Sequence, residues 1–516
     1  MRSPGFYPHR PDGVEVVESH ISWVFLAGDR AYKLRKPVVF PFLDYGTAER
    51  RRAMCDEEVR LGRRLAPDVY RGVRPLVRMK DGWALGAAGE AGAEYVVEMR
   101  GFDERQTLAA RMRDGTADEA AVRAVARRIA AFHIDAESAP TGSFDPEAVA
   151  ATVRENFGTL LPYAPLLDER DLAAAHHFSI AFLHARRGLL EERVARGFVR
   201  NCHGDLRAEH VILEGGQVEV FDPLEFDPGL REIDVSAELA FLVMDLMDAR
   251  AGDLAAALID EYAATGGNYG GTSLLFFYAA YRAWVRAKVA CLRAGELPPG
   301  DERAAAVAEA RRLAALARQL ALRARRPLVL VVCGASATGK TVLAEAVCAL
   351  SELPHLSSDL VRKELAGLAP HQRAAEEHYT DEASLRTYRE LGVRAAAYTQ
   401  SGAVVDATFR RRSHRAAFAH AFGGEALFVE CKAPATVVAE RATRRERSPG
   451  RVSDATAAIA AAQLMEFEPL DEVPPSRHVL LRTDRPVEEL VHELEAALDW
   501  GMARWEAAAA SERRRE

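Results

Sequence analysis

The feature that most constrains this fold is an apolar run at 328–333 that leads directly into a glycine-rich loop. The run Leu-Val-Leu-Val-Val-Cys predicts a strand buried on both faces, as in a parallel sheet. The loop at 334–341, Gly-Ala-Ser-Ala-Thr-Gly-Lys-Thr, fits the pattern G-x-x-x-x-G-K-[ST] and is followed by an amphipathic helical pattern. Its two glycines allow several main-chain N–H groups to point at one anion. The segment therefore predicts a phosphate-binding loop, and the alternative is a glycine-rich turn without a ligand.

This loop predicts a binding site for ATP or GTP with Mg²⁺. Lys340 would reach the β- and γ-phosphates and take part in catalysis, and Thr341 would offer its hydroxyl to the metal. The residues expected to surround the phosphates are Gly334, Ala335, Ser336, Ala337, Thr338, Gly339, Lys340 and Thr341.

Short apolar runs alternate with helical patterns in the rest of this region. Such alternation predicts a doubly wound parallel sheet. We therefore expect an α/β domain at 326–505 with a parallel five-stranded sheet, followed by a frayed tail at 506–516. The strands are expected at 328–333, 355–357, 403–405, 427–431 and 479–481.

Polar residues at the ends of two of these strands are candidates for catalysis. Asp359 could accept a proton from an attacking hydroxyl while Arg362 holds the acceptor, because ligands bind at the carboxyl ends of parallel strands. The alternative is that Asp359 caps the next helix. Asp406, in the stretch Val-Val-Asp-Ala-Thr-Phe, is placed to hold Mg²⁺ or its water, or is a loop aspartate without a ligand. Thr408 in the same stretch is a candidate substrate contact.

Arginines cluster on a later predicted helix, at 441, 444 and 445, and Arg447 and Arg451 follow it. Arg441 and Arg445 are spaced by one turn and could close over the transferred phosphoryl group. The alternative is a solvated charged face.

Residues 327–500 resemble the small P-loop kinases of the gluconate kinase, polynucleotide 5′-kinase and zeta-toxin type. The resemblance rests on the phosphate loop, S-D-x-x-R-K, V-V-D-A-T-F and the arginine segment followed by Ser453-Asp454. It implies a nucleotide kinase-like fold, ATP with Mg²⁺, phosphorylation of a hydroxyl group, and Asp359 as the base.

The first 325 residues predict a separate α+β domain. An N-lobe at 1–100 shows two hairpin patterns and a further strand, which predict a five-strand antiparallel sheet, and a helix at 47–65. A C-lobe at 101–325 is mostly helical, with a loop at 201–210 followed by a tight hairpin.

The loop His-Gly-Asp-Leu-Arg-Ala-Glu-His at 203–210 resembles the catalytic loop of aminoglycoside phosphotransferases and other kinase-like enzymes. The resemblance implies that Asp205 orients and deprotonates the acceptor hydroxyl and that Asp222 holds Mg²⁺. Lys33, paired with Glu58, would bind the α- and β-phosphates. The strand that contains Glu98 and Met99 would hold the adenine. Asp234 is expected to tether the catalytic loop.

Two departures weaken this reading of the first domain. His210 stands where an asparagine usually supplies a second metal ligand, and imidazole suits softer metals than Mg²⁺. The second metal is then missing, or is held by Glu209 or water. No glycine-rich loop precedes Lys33. The domain is either an active kinase or a binding or regulatory relic.

The order of the two modules resembles a bacterial group of aminoglycoside-phosphotransferase-like proteins fused to a P-loop ATPase domain. The length of 516 residues requires more than one domain. The net charge of −8 argues against nucleic-acid and membrane-surface binding. Six scattered cysteines, no apolar leader and no long apolar run predict a cytoplasmic protein. The sequence does not indicate its oligomeric state.

Three functions remain open. The first is a phosphotransferase with two nucleotide sites, which phosphorylates hydroxyl groups of small sugar-like or nucleotide-like acceptors. In the second, only the P-loop domain is catalytic and the first domain regulates it. The third is a nucleotide-driven switch that hydrolyses ATP slowly.

Overall fold

The computed structural model describes residues 1–40, 43–80, 82–139, 145–325, 329–399, 401–447 and 456–513. The chain forms two compact units, the first made of 1–149 and 189–271 and the second of 150–188 and 272–516. This division differs from the predicted domains 1–325 and 326–505. Some helices before residue 325 belong to the second unit because of their packing. Glu169–Ala185 packs on the last helix, Val487–Arg513, and Asp301–Ala324 packs on Lys340–Ser351.

An antiparallel sheet forms the start of the first unit, and six strands of it lie within the described residues. Five strands were expected. The additional one, Glu15–Glu18, is short and mostly exposed at the sheet edge, so its sequence lacks an apolar alternation. In spatial order the strands are Glu15–Glu18, Ser22–Ala27, Arg30–Arg35, Glu94–Arg100, Tyr70–Met79 and Gly82–Leu85. A two-residue pair, Val39–Phe40 with Leu43–Asp44, lies apart from this sheet.

The helix Ala48–Gly62 covers one face of this sheet. Thr47 caps its start by accepting a hydrogen bond from the Arg50 N–H. Its buried face carries Cys55 and Val59, which pack with residues of the central strands. Glu58 lies on the same face and is fully buried, so a carboxylate is held beneath the sheet.

The predicted loop at 201–210 lies between two small two-stranded sheets. Val199–Asn201 pairs with Glu232–Asp234, and Val211–Glu214 pairs with Gln217–Val220. The helices from the end of the first sheet to residue 325 are Leu108–Arg113, Glu119–Asp135, Pro146–Leu160, Glu169–Ala185, Arg187–Ala195, Val235–Asp248, Gly252–Ala264, Thr272–Glu296 and Asp301–Ala324. The predicted α+β, kinase-like fold is confirmed.

The second unit contains the predicted parallel sheet, with five strands among its described residues. Its spatial order is His355–Ser357, Ala403–Asp406, Val329–Cys333, Ala426–Lys432 and His478–Arg482. Val329–Cys333 is central and fully buried, as its composition requires, and Leu328 lies outside the described residues. The α/β prediction is confirmed.

Helices cover both faces of the parallel sheet and enclose one apolar core on each side. They are Lys340–Ser351, Ser358–Leu365, Asp381–Ala396, Arg412–Phe422 and Val487–Arg513. Two further helices, Ala435–Glu446 and Ala457–Met465, pack on each other beside the phosphate loop. The predicted frayed tail is helical as far as Arg513, because its alanines and glutamates favour helix. In the described part of the chain, no helix is both long enough and apolar enough to cross a membrane.

A buried charge network joins three helices of the second unit. Glu495, on the last helix, receives hydrogen bonds from Arg318 at 2.9 and 3.1 Å. Arg318 also pairs with Asp171 at 3.0 Å, which ties Glu169–Ala185 to the same point. Burial opposes ionisation of Glu495, but His492 and Arg318 lower its pKa to about 2.

We expect Glu495→Gln to reduce the free energy of unfolding by about 2–4 kcal/mol at pH 7, because it leaves Arg318 partly unpaired in a buried place. The folded pKa of Glu495 is depressed, so its contribution is full above pH 4.5 and is lost as the pH falls towards 2. Urea denaturation between pH 7 and 3 should therefore show a weaker pH dependence in the variant. Glu488→Gln, an exposed change on the same helix, is the control; equal curves for both variants would contradict the prediction.

Candidate active sites

Lys33 lies at the centre of the candidate site of the first unit. Its Nζ donates to Glu58 Oε1 at 3.2 Å and to Asp222 Oδ1 at 2.5 Å. The predicted Lys33–Glu58 ion pair is thus present, and a residue 189 positions later joins it. Burial opposes the charge of Lys33, but the carboxylates of Asp222 and Glu58 hold its pKa well above the ordinary value.

A second buried cation and a further buried carboxylate stabilise this ion pair. Arg35 donates to Glu58 at 2.5 Å and to Glu225 at 2.7 Å, and the Tyr45 hydroxyl donates to Glu225 at 2.6 Å. Sequence reasoning missed Glu225, although it follows Asp222 by only three residues. The network fixes the Glu58 carboxylate, because both of its oxygens are engaged.

Asp222 is held in a strained backbone conformation directly after the hairpin strand Gln217–Val220. Its φ is 62°, which costs a non-glycine residue roughly 1–2 kcal/mol. The Asp222 N–H donates to the Tyr70 hydroxyl at 2.9 Å, which helps to hold this conformation. Burial opposes ionisation of Asp222, but the charge of Lys33 lowers its pKa. An ionised carboxylate therefore faces the ammonium of Lys33, as the predicted metal site requires.

The catalytic loop is tethered by Glu238. The Glu238 carboxylate accepts hydrogen bonds from the N–H groups of His203, at 2.6 Å, and Gly204, at 3.0 Å. The prediction that Asp234 tethers this loop is wrong, because Asp234 pairs with Arg193 at 2.6 Å and caps the helix Val235–Asp248. Glu238 lies fully buried in that mostly apolar helix, which was an available sequence signal.

His210 lies between Asp205, the predicted base, and Asp222, the predicted metal ligand. Its Nδ1 is 2.9 Å from the Asp205 carbonyl oxygen, which can only accept, so Nδ1 carries the proton. Its Nε2 lies 3.8 Å from Asp222 Oδ2. Asp205 itself is partly exposed. The unprotonated Nε2 and the Asp222 carboxylate are thus near enough to contact one cation, although the imidazole favours a softer metal than Mg²⁺.

The predicted adenine strand is only partly suited to its role. Glu98 pairs with Tyr32 in the sheet, on the face opposite to Lys33, and its carboxylate is bound by Arg30 at 2.6 Å and Arg74 at 3.2 Å. Met99 is buried on the helix side. The Glu98 side chain is thus engaged away from Lys33, and only the main chain here remains as a candidate contact for a base.

The phosphate loop of the second unit has the backbone that its glycines predict. Gly334 has φ 137°, and a Cβ there would lie 2.5 Å from the Cys431 carbonyl oxygen. Gly339 has φ 95°, and Ala337, with φ 64°, is a non-glycine residue in the left-handed region. Lys340 Nζ donates to the Ala335 carbonyl at 2.8 Å, as does the Thr338 hydroxyl. The main chain of the loop therefore curls around the side chain of Lys340.

Thr341 and Asp406 come together at the carboxyl end of the sheet. The Thr341 hydroxyl donates to Asp406 Oδ2 at 2.6 Å, and Asp406 is buried. Burial opposes ionisation of Asp406, but His355, at 3.8 Å, and Lys340 hold its pKa below the ordinary value. A hydroxyl and an ionised carboxylate at this spacing are hard ligands that fit Mg²⁺. His355 was not anticipated.

The arginines predicted to close over the phosphoryl group, Arg441 and Arg445, lie on the helix Ala435–Glu446, called here the lid helix. They line a cavity of about 510 Å³ beside Gly339 and Lys340. Arg441 donates to the Thr483 carbonyl at 2.7 Å, and its other terminal nitrogen, Nη1, is buried without a hydrogen-bond partner among the described residues. That nitrogen lies 3.4 Å from the place a Gly339 Cβ would occupy. Arg445 lines the same cavity. Arg451, Ser453 and Asp454 lie outside the described residues.

The candidate acceptor residues occupy another part of this edge. Asp359 lies in the first turn of Ser358–Leu365, whose cap position is Ser357. Arg362 is buried, donates to the His378 carbonyl at 2.7 Å and stacks on Tyr379. The remaining candidate, Thr408, is hydrogen-bonded to the Tyr388 hydroxyl at 2.9 Å. The roles of these residues stay predictions.

We expect Glu238→Gln to loosen the catalytic loop, because the amide NH₂ would face a main-chain N–H that now has an acceptor. A loss of about 2–3 kcal/mol would raise amide exchange at 201–210 roughly 30- to 200-fold. Hydrogen exchange followed by mass spectrometry measures this, with peptides at 334–341 as an internal reference. Glu214→Gln, at an exposed hairpin position, is the matched control. Unchanged exchange at 201–210 would refute the tether.

The chain is similar to several known proteins. A family model described as an AAA domain matches residues 329–470. Among solved structures, a gluconokinase from Sinorhizobium meliloti is 24% identical, with 36% of this chain and 98% of that chain covered and a TM-score of 0.27. A choline/ethanolamine kinase family protein from Mesorhizobium loti is 15% identical, with 60% and 90% covered and a TM-score of 0.35.

Two mycobacterial proteins are similar over most of their length. The chain is 34% identical over 461 residues to the uncharacterized protein Rv2004c of Mycobacterium tuberculosis, which covers 87% of this chain and 89% of that protein. The uncharacterized protein Mb2027c of Mycobacterium bovis gives the same values. With a kinase-like fold followed by a P-loop domain, the chain belongs to the family of these mycobacterial proteins.

Proposed function

We propose that the protein is an ATP- and Mg²⁺-dependent phosphotransferase with two nucleotide sites, which phosphorylates hydroxyl groups of small sugar-like or nucleotide-like molecules. The observation that carries this proposal is the convergence, in each unit, of a buried lysine with a carboxylate suited to a metal. Lys340 lies beside Thr341 and Asp406, and Lys33 is paired directly with Asp222.

The second unit supports the proposal most directly. Phosphoryl transfer depends on positioning and on cations that neutralise the transferred group. Main-chain N–H groups and Lys340 would grip the phosphates, Thr341 and Asp406 would hold Mg²⁺, and the buried Nη1 of Arg441 would find a phosphate oxygen as its partner. Mg²⁺ would supply charge neutralisation. Asp359 would accept the acceptor proton, and Arg362 and Thr408 would bind the acceptor.

The first unit supports a second site by different means. Lys33 is held by Glu58 and can bind a phosphate once Asp222 turns to a metal. Asp205 lies on a tethered loop and is open enough for an acceptor hydroxyl to reach. His210 would hold a metal through Nε2, or leave that place to water.

Two alternatives rest on specific observations. His210 in place of asparagine favours a first unit that binds nucleotide and regulates the second without catalysis. Strong internal pairing of Lys33 also suits that role. A nucleotide-driven switch would need the phosphate loop, but not Asp359 and Arg362.

Lys340→Ala should abolish the activity of the second site, with a roughly 10²–10³-fold loss of turnover, because no other ammonium lies in the loop. Phosphorus NMR of the full chain with ATP, Mg²⁺ and a panel of polyols and nucleosides would detect each phosphorylated product. Arg482→Ala, an exposed change in the same unit, is the control. Full product formation by Lys340→Ala would remove the second unit from the proposal, and phosphate release without any product would favour the switch.

Asp205→Asn and Lys33→Ala should each remove a second, separate product by roughly 10²-fold or more, while the product that depends on Lys340 persists. The carboxamide of Asp205→Asn cannot accept the acceptor proton, and Lys33→Ala loses the ammonium that binds phosphates. The same NMR assay measures both, with Lys80→Ala, at an exposed lysine directly after the strand Tyr70–Met79, as the control. Unchanged turnover in Asp205→Asn would show that the first unit does not catalyse.

A further inference from the structure

One helix beside the phosphate loop carries a polar side chain that the proposed function leaves unused. The helix Ala457–Met465 reads Ala-Ala-Ile-Ala-Ala-Ala-Gln-Leu-Met, and Gln463 is its single polar residue. The Gln463 Oε1 accepts a hydrogen bond from the Ser336 N–H at 2.9 Å. Ser336 is the third residue of the phosphate loop and is buried. A main-chain donor expected to bind phosphate is therefore bound to a side chain.

The same helix face connects the phosphate loop to the lid. Ala460 and Leu464 lie one turn apart, on the face that Gln463 shares. Ala460 is buried in a small cluster with Ala337 of the phosphate loop and with Val438 and Ala442 of the lid helix. The start of the helix is also bound to the lid helix, because the Ala457 N–H donates to Glu446 Oε1 at 2.6 Å.

We propose that Gln463 is an internal competitor for the phosphate chain of the nucleotide. The side-chain oxygen of Gln463 accepts the Ser336 N–H hydrogen bond that a phosphate oxygen would otherwise accept, so it must leave when phosphate binds. A charged phosphate oxygen displaces this neutral acceptor because charge-assisted hydrogen bonds are about twice as strong. The displaced side chain moves the helix that is bound to the lid, so phosphate binding is coupled to lid position. This inference rests on the nucleotide site proposed for the second unit.

The competition predicts opposite effects for two substitutions at this position. Gln463→Ala frees the Ser336 N–H and should tighten binding of the phosphate chain by about three- to tenfold, the worth of one hydrogen bond. Gln463→Glu keeps the shape but places an anion against the loop, and should weaken binding by roughly tenfold or more. If the helix only supported the fold, the two substitutions would not change the affinity for phosphate in opposite directions.

The test is titration calorimetry on the full chain carrying Lys33→Ala, with MgATP and with inorganic tripolyphosphate as probes. Binding that is lost on adding Lys340→Ala belongs to the second site. Both probes should show the same order of affinity: Gln463→Ala above the parent, and Gln463→Glu below it. Met465→Ala, 85% exposed on the same helix, is the matched control and should equal the parent.

The outcomes separate the two proposals. Measurable binding with equal or jointly weakened affinities in Gln463→Ala and Gln463→Glu overturns the role of Gln463 alone. A shift for MgATP but not for tripolyphosphate also overturns it, because the competition acts on phosphate. Absence of any binding that depends on Lys340 overturns the nucleotide site of the second unit and this inference with it.

Discussion

Each unit depends on a lysine ammonium group that is removed from water and is balanced by other groups of the protein. Lys33 is paired with Glu58 and Asp222, and Lys340 is bound to the carbonyl of Ala335. A charge in a poorly hydrated place must be balanced by hydrogen bonds or by an opposite charge. The first unit achieves this with carboxylates 25 and 189 positions away, which the fold brings together, and the second with a carbonyl of the same loop.

The two solutions differ in their physical character. The first unit uses carboxylates, so its lysine is neutralised by full charges, and the strained backbone of Asp222 aims one of them at it. The second unit uses the main-chain carbonyl of Ala335, a neutral dipole that carries only a partial charge. A phosphate group would therefore compete against an ion pair in the first unit and against neutral acceptors in the second.

The elements that sequence reasoning placed well are those whose cause is local. The phosphate loop could be found because glycines at 334 and 339 are required by the backbone itself, as the contact of a Gly334 Cβ with Cys431 shows. The buried strand Val329–Cys333 followed from composition. Contacts that depend on tertiary packing were harder to predict. Glu225 and Glu238 bind partners that are distant in sequence and come close only in the folded chain. The edge strand Glu15–Glu18 is mostly exposed, so it shows no alternation of apolar and polar residues.

The path of the chain has a consequence for how the molecule can be divided. Segment 150–188 belongs to the second unit, yet 189–271 returns to the first. A chain severed at residue 325 would part the helices within 150–188 and 272–324 from the rest of the second unit, among them Glu169–Ala185, which packs on the last helix. The fragment from residue 326 onward would lack part of its core, whereas 1–325 would contain the whole first unit. No single cut separates the two units, because the second is assembled from segments on both sides of 189–271.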